Sequence, residues 1–153
     1  MYRIKTDCFL LEFTPVVHEN DLSEPVNTSL MVKVFSFDYS ANSLMDIDVR
    51  DLGKFAVDLN DLYENLKGTA KLNEPYGKSQ VIFTAVTYGH IRISGCIDNG
   101  NAHGFTQKLY FENEIDQTYL KEFSKKLFAD YSKYSEFQLK AGATSDKITA
   151  EVK

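Results

Sequence analysis

The stretch Gln80–Gly100, QVIFTAVTYGHIRISGCIDNG, decides how this chain folds. Apolar or small residues recur at every second position in both of its halves, and a period of two is typical of half-buried strands. They are Val81, Phe83 and Ala85 in the first half, and Ile91, Ile93, Gly95 and Ile97 in the second. Tyr88-Gly89 lies between the halves, and glycine tolerates the positive φ that tight hairpin turns require. The stretch therefore predicts an antiparallel β-hairpin.

The same region holds His90, Cys96 and His103, so a metal site or a catalytic site is the alternative interpretation. His90 begins the second strand, and His103 follows the turn at its far end. Strand residues rise about 3.3 Å each, which places these two histidines more than roughly 20 Å apart. They cannot share one metal ion within the hairpin. We therefore expect no metal, and the hairpin interpretation is favoured.

Motifs of catalysis and cofactor binding are also missing from the sequence. There is no G-x-S-x-G, no phosphate-binding loop, no dinucleotide fingerprint and no H-E-x-x-H. Cys8 and Cys96 have no spacing typical of a zinc site, and we expect both thiols to be reduced and buried. The sequence predicts no cofactor and no enzyme activity.

Further strands are predicted on both sides of the hairpin. Three of them precede it, at Ile4–Phe13, Leu30–Phe37 and Leu44–Val49, and His18–Thr28 is expected to be a loop. Asp46 and Asp48 are expected to face solvent from the Leu44–Val49 strand. After the turn at 98–101, one more strand has Phe105, Gln107, Leu109 and Phe111 on one face.

Two helices complete the prediction. The first covers about 51–67, with Asp51 as the N-cap and Gly68 at the left-handed C-cap position. Its apolar stripe repeats at spacings of three and four, through Leu52, Phe55, Leu59, Leu62 and Leu66. The second helix covers about 116–131 and begins with Asp116 as its cap. Residues 132–153 are either an edge strand, at 137–139 or 148–152, or a frayed tail.

Together these elements predict an α+β fold. Tight turns between successive strands favour a mainly antiparallel, curved sheet of about six strands, with the two helices packed on it. At 153 residues the chain is long enough to bury a core without metals or disulfides, and we expect residues 1–153 to form a single domain.

The charge is unevenly distributed along the chain. The net charge is -5, and residues 1–76 carry 13 acidic and 7 basic side chains. An acidic half repels phosphates, which disfavours nucleic acid as a direct ligand and suits a basic protein partner. No leader peptide and no run of about 20 apolar residues is visible, so we expect a cytoplasmic protein with no membrane partner.

One side of the first helix is the best candidate for a binding surface. At 100° per residue, four acidic side chains fall opposite the apolar stripe, and an apolar Val57 lies among them. We refer to these residues as the α1 acidic surface: Asp51, Val57, Asp58, Asp61 and Glu64. An apolar contact ringed by acids is typical of a surface that binds a cationic protein. The alternative is an ordinary solvated helix face.

Three segments carry a family resemblance: DLGKFAVDLNDLYENLKGTAKL at 51–72, VIFTAVTYGHIRISGCIDNG at 81–100 and KLYFENEIDQTYLKEFSKKL at 108–127. Gly89-His90-Ile91 and Asp116-Gln117-Thr118-Tyr119-Leu120 are the matching motifs. The chain resembles the WapI-like class of immunity proteins of bacterial polymorphic toxin and contact-dependent inhibition systems, over roughly residues 44–131. The resemblance implies a protein that binds and neutralises the C-terminal domain of a cognate toxin.

Two functional hypotheses follow. The first is an immunity protein that occludes its toxin directly; a nuclease toxin would suit the acidic half, because nucleases need cationic sites for phosphates. The second is a small-molecule-binding or enzymatic domain, with a site between the sheet and the helices near Tyr88 and His90. Toxin activity and oligomeric state are not predicted.

Overall fold

The computed structural model describes the backbone of residues 1–147 and the side chains of residues 1–135. Within this range the fold is α+β, as predicted, with antiparallel strands and two long helices. There are eight strands in two four-stranded sheets, rather than about six strands in one sheet. Sheet A contains β1 (Tyr2–Lys5), β2 (Phe9–Val17), β3 (Thr28–Ser36) and β4 (Tyr39–Ile47); sheet B contains β5 (Thr69–Asn73), β6 (Gln80–Ala85), β7 (His90–Asp98) and β8 (Lys108–Asp116). The helices are α1 (Val49–Asn65) and α2 (Lys121–Lys147).

The predicted strand at Ile4–Phe13 is two strands, because the chain turns between Lys5 and Phe9. The Thr6 N–H donates to the carbonyl of Phe9 at 2.8 Å, and Ile4 then pairs with Leu11 across the β1–β2 hairpin. The turn leaves Cys8 exposed, so the expectation that both thiols are buried is wrong for Cys8. Cys96 is buried, and both cysteines are free.

Four phenylalanines, one from each sheet and one from each helix, form the centre of the core. The Phe13 ring of sheet A lies 6.1 Å from Phe55 of α1 and 5.4 Å from Phe123 of α2. The Phe83 ring of sheet B lies 5.7 Å from Phe55 and 5.9 Å from Phe123. All four are fully buried. These rings therefore join both sheets to both helices. This contact is consistent with a single domain, and the extent of that domain over residues 1–153 stays a prediction.

The first helix begins at Val49, and its N-cap is Asp48, not Asp51. Asp48 has extended backbone, and its carboxylate accepts from the Arg50 N–H at 2.9 Å. The same carboxylate pairs with the Arg50 guanidinium at 2.7 Å, so Asp48 is not the solvated strand residue that the alternation predicted. The buried Asn27 accepts from the Val49 N–H at 2.8 Å through its side-chain oxygen. The polar loop before β3 thus satisfies a second backbone donor of the first turn.

The helix ends at Asn65, two residues earlier than the predicted end at about 67. Leu66 is the left-handed residue, with φ 55° and ψ 41°, and its N–H donates to the Leu62 carbonyl at 2.8 Å. Leu66 is 36% exposed, so it is not part of the buried stripe. The other four stripe residues are buried as predicted.

We expect Asp48→Ala to lower the free energy of unfolding by about 1 kcal/mol, because the cap is lost. Burial raises the pKa of Asp48, but hydrogen bonds from Arg50 and Asn27 outweigh it and hold the pKa below its usual value. This contribution is present above the unfolded pKa of about 3.9 and is lost as the pH falls through the folded pKa. Urea unfolding at pH 7 and near pH 3 measures both effects.

Asp51→Ala is the matched control for this prediction. Although Asp51 is exposed, partial desolvation of its carboxyl by the surrounding protein, and then the charge of Asp48, raise the pKa of Asp51, so its ionised form is disfavoured in the folded state. Its removal is expected to cost nothing at pH 7. Equal losses in the two variants would show that Asp48 is not the cap.

The second helix extends further than the sequence predicts. Asp116 does act as a cap, but of a short 3-10 turn at Gln117–Tyr119, and α2 itself begins at Lys121. Backbone of residues 132–147 continues this helix, so the predicted edge strand at 137–139 is wrong. The alternative strand at 148–152 lies outside the described residues.

Gly53 allows the two helices to approach closely. A Cβ atom at this position would lie 2.6 Å from the Tyr131 carbonyl oxygen and 2.7 Å from the Ser135 nitrogen. Both are backbone atoms of α2, so no side-chain movement could relieve the contact. A glycine that only weakens a helix in isolation is therefore required here by helix packing.

Candidate functional site

At 100° per residue, Val57, Asp61 and Glu64 share one side of α1, whereas Asp58 and Asp51 lie nearer the buried stripe. Asp51, Asp61 and Glu64 are exposed, while Val57 and Asp58 are half-buried. The opposite side of α1, through Leu52 and Leu59, packs into the core. Asp51 and Glu64 are 13 residues apart, which is roughly 20 Å along a helix axis at 1.5 Å per residue. The structure thus presents an elongated surface rather than a compact cluster.

Two of its carboxylates are paired within the molecule. Lys54 Nζ lies 3.1 Å from the Asp58 carboxylate, one helical turn earlier. Lys125 of α2 contacts Glu64, and its Nζ also donates to the Asn60 side-chain oxygen at 2.9 Å. Among the described ion pairs none involves Asp61. The surface is therefore less negative than its sequence indicates.

Lys125 is the member of this site that sequence reasoning missed. Its ammonium lies 5.4 Å above the Tyr63 ring as well as beside Glu64, so α2 contributes a cation to the edge of the α1 acidic surface. In the sequence Lys125 is only one of several lysines on the polar side of a helix. Its role follows from how α1 and α2 pack, which no local pattern reports.

A second acidic array lies on the outer face of sheet B. Glu112, Glu114 and Asp116 alternate along β8, and their side chains share that face because successive strand residues point to opposite sides. Arg92 lies 3.2 Å from Glu112, and His90 lies 3.6 Å from Glu114. The alternation in FENEID was the signal for this array in the sequence. Arg92 therefore compensates the charge of Glu112, one of the three carboxylates of this array.

The histidines are separated as the hairpin geometry predicts. His90 begins β7 beside Glu114, and His103 lies in the turn region after β7 with φ 59°. Within the described residues there is no group of three or more His, Cys, Asp or Glu side chains arranged to hold a metal ion. Tyr88 is 93% exposed, and His90 is exposed beside it. These two residues build no enclosed site.

Neither helix of residues 1–147 combines the length and the apolar character that crossing a membrane requires.

Comparison with known families identifies the class of protein. The model described as the Immunity protein WapI-like family matches residues 5–135. The chain therefore belongs to the WapI-like immunity protein family. The match begins at residue 5, so it also includes β2 and β3, which the sequence resemblance did not cover. No curated protein and no solved structure matches the chain. Membership makes this an immunity protein, and its implied partner is a cognate toxin protein.

Proposed function

We propose that this immunity protein neutralises its toxin by binding it directly, without any turnover of its own, and that the α1 acidic surface is the contact. The observation that carries the proposal is the position of four carboxylates and Val57 on the exposed side of α1. A surface of this sign attracts a cationic surface from a distance and speeds association.

A nuclease domain is the kind of toxin that suits this surface best. Nucleases hold phosphates with basic side chains, and an acidic protein surface can occupy the same groups. Binding there would occlude the toxin's substrate site. The same basic side chains would then attract the immunity protein and be blocked by it. We propose that this takes place in the cytoplasm, where the nucleic acids of the cell would otherwise be cleaved.

The proposed contact has a centre and a periphery. Val57 is half-buried among acids and supplies the apolar contact that interface centres favour. Asp61, for which the described residues show no ion pair, is free to receive a toxin cation. Asp58 and Glu64 would exchange or share their present partners Lys54 and Lys125.

The test is the triple charge reversal Asp58→Lys, Asp61→Lys and Glu64→Lys. We expect the Kd for the cognate toxin domain to rise at least about tenfold, because attraction becomes repulsion at three points. Cells that carry the variant should lose protection from the toxin. Thermal melts should show a folded protein, since all three side chains lie on the outer side of α1.

A matched control makes the same change in net charge elsewhere. Glu19→Lys, Asp21→Lys and Glu24→Lys alter three exposed acids in the loop between β2 and β3. This variant should bind within about twofold of the parent, because charges outside a contact act mainly through the screened long-range field. Parent-like binding by the α1 variant would refute the proposed surface.

A further inference from the structure

Each sheet has two edge strands, and the four edges differ in whether a helix packs against them. At β1, Lys126 of α2 donates to the Met1 carbonyl at 3.3 Å, and the Tyr2 hydroxyl donates to Asp130 of α2 at 2.5 Å. At β5, α1 packs alongside the strand. The other two edges, β4 of sheet A and β8 of sheet B, have no helix over them in the described part of the chain. Uncovered edges invite pairing with another strand.

Of these two, β8 is protected by charge. Lys108, Glu112 and Glu114 extend from it, and charged side chains are a common means of preventing edge pairing. The corresponding residues of β4 are Ser40, Asn42 and Leu44, which are uncharged, followed by Asp46 at the end of the strand. The edge of β4 at Ser40–Leu44 therefore has neither a helix against it nor charged side chains that would oppose pairing with another strand.

The direction of the β4 backbone groups follows from its hairpin. Ser36 and Tyr39 pair across a two-residue turn, so alternate residues from Ser40 onward direct their N–H and C=O groups away from β3. Asp46 confirms this parity, because its N–H donates outward to the Glu74 carboxylate at 2.9 Å. Glu74 thus fills one position on the edge. The N–H groups of Ser40, Asn42 and Leu44 have the same orientation and no partner among the described hydrogen bonds.

A groove of about 420 Å³ lies along this open edge. One wall is the β4 segment 39–43, and the other is the end of the β7–β8 hairpin, including Asn99, Gln107 and Leu109. The edge from Ser40 to Leu44 is about 13 Å long at 3.3 Å per residue. The groove therefore has the length of a short strand and lies where sheets A and B meet.

The chemistry of the edge specifies its occupant. Donors and acceptors that repeat every second residue are matched by the backbone of an extended peptide, whose own groups repeat at the same spacing. A second copy of this chain is a less suitable occupant, because its own β4 edge is accompanied by the end of its own β7–β8 hairpin. An extended segment of the cognate toxin, the partner that family membership implies, brings no second β7–β8 hairpin with it.

We propose that the toxin adds an extended strand to β4 at Ser40–Leu44, pairing with the open backbone groups in the groove between the two sheets. This inference rests on the proposed function, since it takes the toxin to be bound directly. It assigns a second contact to the toxin, distinct from the α1 acidic surface, and one that depends on backbone rather than on side-chain charge.

The variant that tests this is Asn42→Pro. Proline removes the outward N–H and is tolerated on edge strands where that N–H faces away from the neighbouring strand. The β3–β4 pairing should survive, and thermal melts should show a folded protein. The Kd for the cognate toxin domain should rise at least about tenfold, because one hydrogen bond is lost and the proline ring blocks the edge.

Asn42→Ala is the matched control, because it removes the side chain and keeps the N–H. It should bind the toxin domain within about twofold of the parent. Equal weakening in the alanine and proline variants would assign the effect to the side chain and overturn the strand pairing.

Amide hydrogen exchange of the full chain, free and with the toxin domain, provides the decisive readout. The amides of Ser40, Asn42 and Leu44 should exchange at least about tenfold more slowly in the complex. A complex in which they exchange at the free rate would overturn this inference and leave direct binding intact. No complex at all would overturn the direct-binding proposal, and this inference with it. Concentration-dependent protection of these amides without toxin would show that a second copy is the occupant, and would overturn the assignment to the toxin.

Discussion

Phe83→Ala is expected to lower the free energy of unfolding by about 3–5 kcal/mol, the range for deleting a buried aromatic ring. Phe83 is fully buried on β6, and its ring lies 5.7 Å from Phe55 and 5.9 Å from Phe123. Its removal takes from sheet B the ring that contacts both helices. The cavity would lie where four elements meet, so collapse of any one of them could not fill it.

Urea unfolding followed by circular dichroism measures this loss. The matched control is Phe105→Ala, which deletes the same ring from a side chain that is 71% exposed. That variant should unfold within about 0.5 kcal/mol of the parent. Similar stabilities for the two variants would show that Phe83 does not lie at the centre of the core.

Gly53→Val is expected to cost about 3 kcal/mol, at the upper end of the usual range for overpacking. Even the first added carbon would lie 2.6 Å from the Tyr131 carbonyl oxygen, and that oxygen can move only if α2 moves. The gain in helix propensity over glycine is below about 1 kcal/mol and does not offset this. We expect the α1–α2 contact to open at the Tyr131–Ser135 end.

Lys54→Val, at the next position of the same helix, is its control. Lys54 is exposed, so this change adds a β-branched residue and removes only the Lys54–Asp58 ion pair. Its cost should stay below about 1 kcal/mol, as for other exposed helix pairs. Thermal melts of both variants measure the two costs, and hydrogen exchange across 131–135 tests whether the α1–α2 contact opens there. A Gly53→Val protein as stable as the parent would mean that the helices do not approach closely there.

The elements that the sequence predicts well are those with strong local patterns. The stripe of Leu52, Phe55, Leu59 and Leu62 repeats with the helical period, and the structure buries all four. The hairpin around Tyr88-Gly89 is present, with both residues at positive φ. In each case the local sequence pattern is compatible with only one type of element. Tertiary packing therefore agrees with the local preference.

What the sequence did not predict depends on long-range partners. Asp48 and Asp51 are equally good caps by residue type, and the choice of Asp48 depends on Asn27, more than twenty residues earlier in the chain. The division into two sheets is likewise invisible locally, since a strand pattern does not say which neighbours lie beside it. In the proposed site, the exposure of Asp61 and Glu64 on α1 follows from the helical period, whereas the Lys125 contact required α2 to be in place.

The order of the elements along the chain has a consequence for synthesis on the ribosome. Both sheets are meanders in which each strand pairs with its predecessor, so sheet A can form all its pairs before sheet B has been made. Its inner face can then be covered only in part, by α1, because Phe123 of α2 follows Phe13 by 110 residues. At typical translation rates the apolar face of sheet A stays open on the order of ten seconds. We expect the nascent chain to be a chaperone client during that interval, and the complete fold to form only once α2 emerges.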